Sequence, residues 1–266
     1  MFLPLAVFII CCGQKAPKTD FSLFERKEYV KEGVTLPYRI LWPENMQKGT
    51  QYPLFLFLHG MGMRGTDNEK QLTRGAFLFV KPENRRDYPC IALYPQAPTT
   101  SAFVMLKSDG RESPGGFASH ARGETKDAKI ELTPYGNMVM ELVHQLIDKG
   151  VVDIKRIYVA GSSMGAYTTY KLLADYPDLF AAAAPMAGAT DLSTLKAWAG
   201  KVPVWIVHGD EDKAVPPDMD RKVAEVLREM GAEHKYSEYK GVKHNSWDNA
   251  FAEPDFMQWF FSHAKK

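Results

Sequence analysis

The sequence predicts an α/β fold, a mostly parallel central sheet covered by helices on both faces. Three observations carry this reading. Apolar, strand-like runs alternate with helix-like segments from about residue 25 to the C-terminus. One run, Pro53-Leu54-Phe55-Leu56-Phe57-Leu58, is apolar throughout, as suits a parallel strand buried on both faces. A third stretch, residues 156–167, reads R-I-Y-V-A-G-S-S-M-G-A-Y, in which a strand, a tight turn and a helix follow one another directly.

Taken in order, residues 25–30 and 35–42 form a hairpin turning at Lys31-Glu32-Gly33 and ended by Pro43. The buried strand 53–58 runs into His59-Gly60-Met61-Gly62, and a second buried strand, 90–94, is followed by P-Q-A-P. Residues 134–149 form an amphipathic helix with Met138, Leu142, Val143, Leu146 and Ile147 on one side and Gly150 after its end. Strand 157–160 enters the turn, and the helix after it carries Ala166, Tyr170, Leu172, Leu173 and Ala174. Strands 180–185 and 202–208, helix 218–230 stopped by Gly231, strand 234–239 and a closing helix 254–263 complete the pattern. Residues 98–132 break it. They are rich in Ser, Gly, Lys and Glu and exceed the ~15 residues usual for a loop in a compact domain. Their apolar Phe103, Met105, Leu106 and Phe117 suggest a lid or substrate platform over a pocket, the alternative being a mobile surface loop.

A chain of 266 residues fits one large domain, taken as residues 21–266. With 33 Lys and Arg against 32 Asp and Glu, there is no case for nucleic acid or an acidic surface as partner. Residues 1–20 read as a signal- or lipoprotein-type segment and linker. Residues 1–12 are apolar but shorter than the ~20 residues needed to span a bilayer, and a polar stretch follows. No basic residue precedes the apolar run. Export is expected, to the periplasm, the cell surface or the medium, with Cys12 or Cys11 as the lipidated residue of a membrane anchor. Cys90 is then the one cysteine left in the body, expected as a buried, inert thiol beside Ile91, Ala92 and Leu93.

The chemistry centres on G-S-S-M-G, a match to G-x-S-x-G in the strand–turn–helix context of a nucleophile elbow. Ser163 is the candidate nucleophile rather than Ser162, because it alone has a glycine two residues away on both sides. Larger residues at Gly161 and Gly165 would collide with the adjacent strand and the helix start. A serine nucleophile needs a base and a group that orients the base. After strand 202–208 comes H-G-D-E-D-K-A-V-P, where Asp212 is preferred because Val215-Pro216 then lets the chain turn back over the sheet. Asp210 is the alternative, with the lesser role of holding the loop through backbone N–H groups. His244, in G-V-K-H-N-S-W after the last strand, is the candidate base, followed by a loop before the closing helix. His59 and His208 read instead as structural histidines at strand ends. The backbone N–H groups of Met61 and Met164 are the candidate oxyanion donors, Gly60 and Gly62 letting the chain bend so that Met61 points inward. Seven scattered histidines without H-E-x-x-H or paired-cysteine spacing give no metal site, and no phosphate-binding glycine loop follows a strand, so no cofactor is expected.

H-G-M-G-M-R-G-T-D-N-E-K-Q-L, R-I-Y-V-A-G-S-S-M-G-A-Y, H-G-D-E-D-K-A-V-P and K-H-N-S-W-D-N-A-F together resemble the bacterial prolyl-oligopeptidase-like esterases of the α/β-hydrolase superfamily. That group is similar to polyhydroxybutyrate depolymerase and to feruloyl and acetyl xylan esterases. The resemblance runs from about Tyr38 to the C-terminus. It implies an α/β-hydrolase fold with Ser163 as nucleophile, Asp212 as acid and His244 as base. It also implies cleavage of carboxylic esters through an acyl-enzyme, on small-molecule or polysaccharide-linked feruloyl or acetyl esters. The alternatives are a peptidase or thioesterase using the same triad, and a non-catalytic binding protein on a hydrolase fold. Two departures stand out. Ala166 replaces the second glycine usual after the elbow, and residues 98–132 lack the tryptophan expected after the P-Q strand end.

Overall fold

The computed structural model describes residues 19–108, 111–113 and 129–266. The segment 1–18, on which the export and lipid-anchor expectation rests, lies outside the described residues. So do residues 114–128 of the stretch expected as a lid, Phe117 among them.

An eight-stranded sheet forms the centre. Its first hairpin, β1 (Glu25–Lys31) and β2 (Val34–Leu41), is antiparallel and turns at Glu32 and Gly33, both with positive φ. Five strands then run parallel to one another beside β3 (Tyr52–Leu58): β4 (Ile91–Pro95), β8 (Val152–Ser162), β9 (Ala182–Met186), β10 (Val204–Gly209) and β11 (His234–Tyr239). The spatial order is β1-β2-β4-β3-β8-β9-β10-β11, with β2 antiparallel to β4. The side-chain alternation of a strand assigns the two faces. Leu54, Leu56, Leu58, Ile157, Val159, Val204 and Ile206 pack into one core with helices α3 (Pro134–Asp148), α4 (Met164–Asp175), α5 (Leu195–Trp198) and α6 (Asp218–Glu229). Phe55, Phe57, Tyr158, Trp205 and Val207 pack into the other with α1 (Ala76–Val80), α7 (Ser246–Ala252) and α8 (Phe256–Phe261). A further short helix, α2 (Pro82–Asp87), leads into β4. This is the doubly covered, mostly parallel sheet that the alternation of apolar runs and helices predicts.

Residues 98–132 differ from the structureless loop that the sequence suggests. Strands β5 (Val104–Ser108), β6 (Arg111–Ser113) and β7 (Lys129–Leu132) form a three-stranded antiparallel sheet in the order β6-β5-β7. Phe103, Val104 and Leu106 are buried in the main core. Thr133 anchors the return of this excursion: its Oγ1 donates to the Ala102 carbonyl at 2.5 Å and accepts the Gly136 N–H at 3.2 Å, capping α3. The region after His244 also differs, since α7 begins at Ser246 where a loop is expected. Cys90 is a buried free thiol, and burial pushes it up to about 12, far from a reactive thiolate.

Candidate active site

The carboxyl ends of β3, β8 and β10 meet where parallel sheets place their sites. β8 leads through Ser162 directly into α4, and Ser163 sits at the corner with φ 54° and ψ −118°, a conformation that costs a side-chain-bearing residue energy. The corner is held by the Ser163 N–H, which donates to the Met186 carbonyl at 2.9 Å. Its glycines are required by close approach. A Cβ on Gly165 would overlap the Leu58 carbonyl oxygen, and one on Gly161 would overlap the Gly165 carbonyl. Ala166 is accommodated because Gly188 lies against it, where a Cβ would stand 2.6 Å from the Ala166 Cβ.

Three side chains far apart in sequence form one hydrogen-bonded line. Ser163 Oγ lies 2.8 Å from His244 Nε2, and His244 Nδ1 lies 2.6 Å from Asp212 Oδ2. Ser163 and His244 are both part-exposed, the His244 side chain at 28%, whereas the Asp212 side chain at the inner end is fully buried. The second oxygen of Asp212 accepts the Ala214 and Val215 N–H groups, each at 2.9 Å, which fixes the carboxylate plane. Burial alone would raise the Asp212 carboxyl. Hydrogen bonds from His208, His244 and the Val215 N–H outweigh it and hold the group well below the usual carboxylate range. Asp210 lies elsewhere in the loop, where its Oδ1 accepts the Gly241 N–H at 2.6 Å and ties the β10 and β11 ends together. Trp247 meets the His244 ring edge to face, with centroids 5.3 Å apart, and limits the ring's rotation.

Met61 and Met164 are each the first residue of a helical turn, so their N–H groups have no acceptor within that turn. The Met61 segment is held by polar anchors that sequence inspection missed. Arg64 Nε donates to the Met61 carbonyl at 3.1 Å, while its Nη1 reaches the Thr99 and Ser101 carbonyls, each at 3.0 Å. Gln96 Nε2 donates to the Met63 carbonyl at 3.0 Å and to Asp67 at 2.8 Å, and its Oε1 accepts the Asn68 N–H at 2.6 Å. Arg64, Asp67, Asn68 and Gln96 all lie within the motifs that follow β3 and β4, so their polar character there was the available signal. The glycines of this loop act differently from the sequence reading. Gly60 has φ −78°, so it supplies no unusual bend; a Cβ there would stand 3.2 Å from the Ser163 Cβ. A Cβ on Gly62 would meet open space.

His59 and His208 are both fully buried. His59 Nε2 accepts the Ala97 N–H at 3.0 Å and Nδ1 donates to the Gly60 carbonyl at 2.7 Å, which requires the neutral ring; burial pushes it down to about 4. His208 is surrounded differently. Its Nδ1 lies 2.7 Å from Asp220 Oδ2, and its Nε2 lies 2.8 Å from the Val215 carbonyl and 3.4 Å from Asp212 Oδ2. No group of three or more metal-ligating side chains occurs among the described residues.

The profile of the Phospholipase/Carboxylesterase family matches residues 45–258. Over 50 residues the chain is 42% identical to poly(3-hydroxyalkanoate) depolymerase C of Paucimonas lemoignei, a match that takes in 19% of this chain and 12% of that protein. A thermostable esterase of known structure superposes with a TM-score of 0.79 at 30% identity over 91% of this chain; the chain spans 64% of that esterase. A ferulic acid esterase from Anaeromyces mucronatus, solved with ferulic acid, superposes with a TM-score of 0.62 over 92% of this chain and 93% of that one. At 17% identity that likeness carries the fold alone.

Proposed function

Because the chain belongs to the phospholipase/carboxylesterase family of α/β-hydrolases, we propose that it is a serine hydrolase of carboxylic esters working through Ser163, His244 and Asp212. The observation that carries this reading is the continuous line Ser163 Oγ–His244 Nε2–His244 Nδ1–Asp212 Oδ2, with contacts of 2.8 and 2.6 Å, at a strained strand-to-helix corner. His244 Nε2 accepts the Ser163 proton as Oγ attacks the ester carbonyl. Charge develops on the former carbonyl oxygen, and the Met61 and Met164 N–H groups stabilise it; losing one such donor typically costs about 3 kcal/mol. The tetrahedral intermediate collapses as His244 returns the proton to the leaving alcohol. Water then enters, gives its proton to His244, attacks the acyl carbon and releases the acid as Ser163 Oγ is reprotonated. Asp212 keeps the Nδ1 proton on His244 and offsets the charge of the imidazolium that forms in each step.

The substrate reading is a small-molecule or polysaccharide-linked ester of the feruloyl or acetyl type, supported by the esterases the chain resembles. Hydrolysis of short-chain p-nitrophenyl esters, methyl ferulate and acetylated xylan tests both parts, wild type beside Ser163→Ala. Serine-dependent turnover of at least one ester is the expected result. Equal rates for the two proteins would refute Ser163 as nucleophile. Turnover confined to amide or thioester substrates would replace the ester reading with the peptidase or thioesterase one.

A further inference from the structure

We propose that His208 is a positioning residue of the Ser163–His244–Asp212 line, a buried imidazolium that holds Asp212 from behind through Nε2 and is itself held by Asp220 through Nδ1. The proposal rests on the catalytic reading above and extends it one layer into the fold.

The donor and acceptor chemistry of the ring argues for it. Nε2 faces only acceptors, the Val215 carbonyl and Asp212 Oδ2, so it carries a proton. Nδ1 faces Asp220 Oδ2 at 2.7 Å. That carboxyl group already receives two donors: Tyr170 Oη donates to Oδ1 at 2.6 Å and the Gly188 N–H donates to Oδ2 at 3.3 Å. A carboxylate with three donors around it and a ring protonated on both nitrogens leaves no polar atom opposed by its own kind. A neutral ring would set a lone pair against an oxygen acceptor, or would require the carboxyl to take the proton. Burial disfavours the cation, yet the hydrogen bonds to Asp212 and Asp220 outweigh it and push His208 up to about 10.

Every packed element contributes to the surroundings. β10 carries His208 itself, the loop after it Asp212, and α6 Asp220. From α4, Tyr170 faces Asp220, and burial beside that carboxylate pushes its phenol, and that of Tyr167, well above the ordinary range. On β11, Glu238 pairs in register with His208, and Tyr236 interacts with Asp220. His244 lies beyond Asp212. The imidazolium thus joins α6 and α4 to the one carboxylate that orients the base. It places a positive charge within about 6 Å of His244 Nδ1 through the shared Asp212 oxygen.

Two measurements test this. Long-range 1H–15N spectra of the 15N-histidine protein, with the His208 signals assigned by their loss in His208→Gln, should show both ring nitrogens protonated from pH 6 to 9. The pattern of a single neutral tautomer at pH 7 would overturn the proposal, whether or not the protein hydrolyses any ester. The second measurement is the steady-state kinetics of His208→Gln on one ester. The value of kcat should fall while KM stays within about twofold, as expected for loss of an interaction used in the transition state. A folded variant whose kcat is unchanged, or whose loss is confined to KM, would also overturn the proposal. If the variant does not fold, the signals remaining after the other histidines are assigned decide the matter.

Discussion

Replacing Ser163 with glycine should make the protein more stable than replacing it with alanine, although both variants lose the nucleophile. Ser163 is held at φ 54° and ψ −118°, a region that costs a residue with a Cβ about 1–3 kcal/mol. Alanine keeps the Cβ and therefore the strain. Glycine removes it, at the expense of about 0.4–1 kcal/mol of added freedom in the unfolded chain. Both variants lose the same hydrogen bond from Oγ to His244 Nε2, so that term cancels between them. The difference, centred at about 1.3 kcal/mol in favour of glycine and at most about 2.6, corresponds to about 3–5 °C in Tm at its centre for a domain of this size. Urea denaturation at pH 7, or thermal unfolding where it is reversible, reads it directly. A glycine variant equal to or less stable than the alanine variant would mean that the corner stores no strain. The argument that this turn forces the hydroxyl outward at an energetic cost would then fail.

Two further outcomes follow from the same geometry. Asp212→Asn should reduce kcat by about 10⁴, because an amide at Oδ2 favours the wrong His244 tautomer, whereas Asp210→Asn should stay within a few-fold of wild type, since Asp210 bonds the Gly241 N–H and not His244; steady-state kinetics on one ester compares them. His59 should make stability fall with acid. Its folded value of about 4 lies below the unfolded ~6.5, so between those pH values the unfolded chain binds a proton that the folded one does not. Stability drops by up to about 1.4 kcal/mol per unit there, about 3 kcal/mol in all. His208, raised to about 10, has the opposite sign: its contribution is full below ~6.5, is lost as pH rises through 10, and adds no slope in the acid window. Denaturation at several pH values, wild type beside His59→Gln, should show the slope lessened in the variant.

Much of the fold was legible because burial on both faces writes itself into local sequence. The all-apolar run of β3 and the amphipathic stripe of α3 need no knowledge of their partners. The small β6-β5-β7 sheet was not legible for the converse reason. Its strands are short, its composition is polar, and the burial of Val104 and Leu106 depends on a return by Lys129–Leu132 from far along the chain. The helix α7 was missed although Trp247, Ala250 and Phe251 follow a helical spacing, because seven residues give too few turns to separate a helix from a loop.

The site divides in the same way. Ser163, Asp212 and His244 lie in stretches whose local chemistry points at them, and the structure brings Ser163 and Asp212 each within hydrogen-bond distance of His244. Their supports were harder to see. Asp220 lies on the buried stripe of α6 with Val223, Ala224 and Leu227, a carboxylate where an apolar residue belongs. That anomaly is readable in sequence, but its partner His208 is on a neighbouring strand, and only the packing of α6 over β10 joins them. The Arg64 and Gln96 anchors likewise act through backbone carbonyls, whose positions no residue pattern specifies.

The central claim is that Ser163 is the activated nucleophile, and the most direct measurement is covalent capture by a fluorophosphonate, read by intact mass and peptide mapping. The account predicts one adduct per chain, on Ser163 rather than the adjacent Ser162, absent from Ser163→Ala and slowed in Asp212→Asn. No adduct on the wild-type protein, or an adduct that persists in Ser163→Ala, would contradict it.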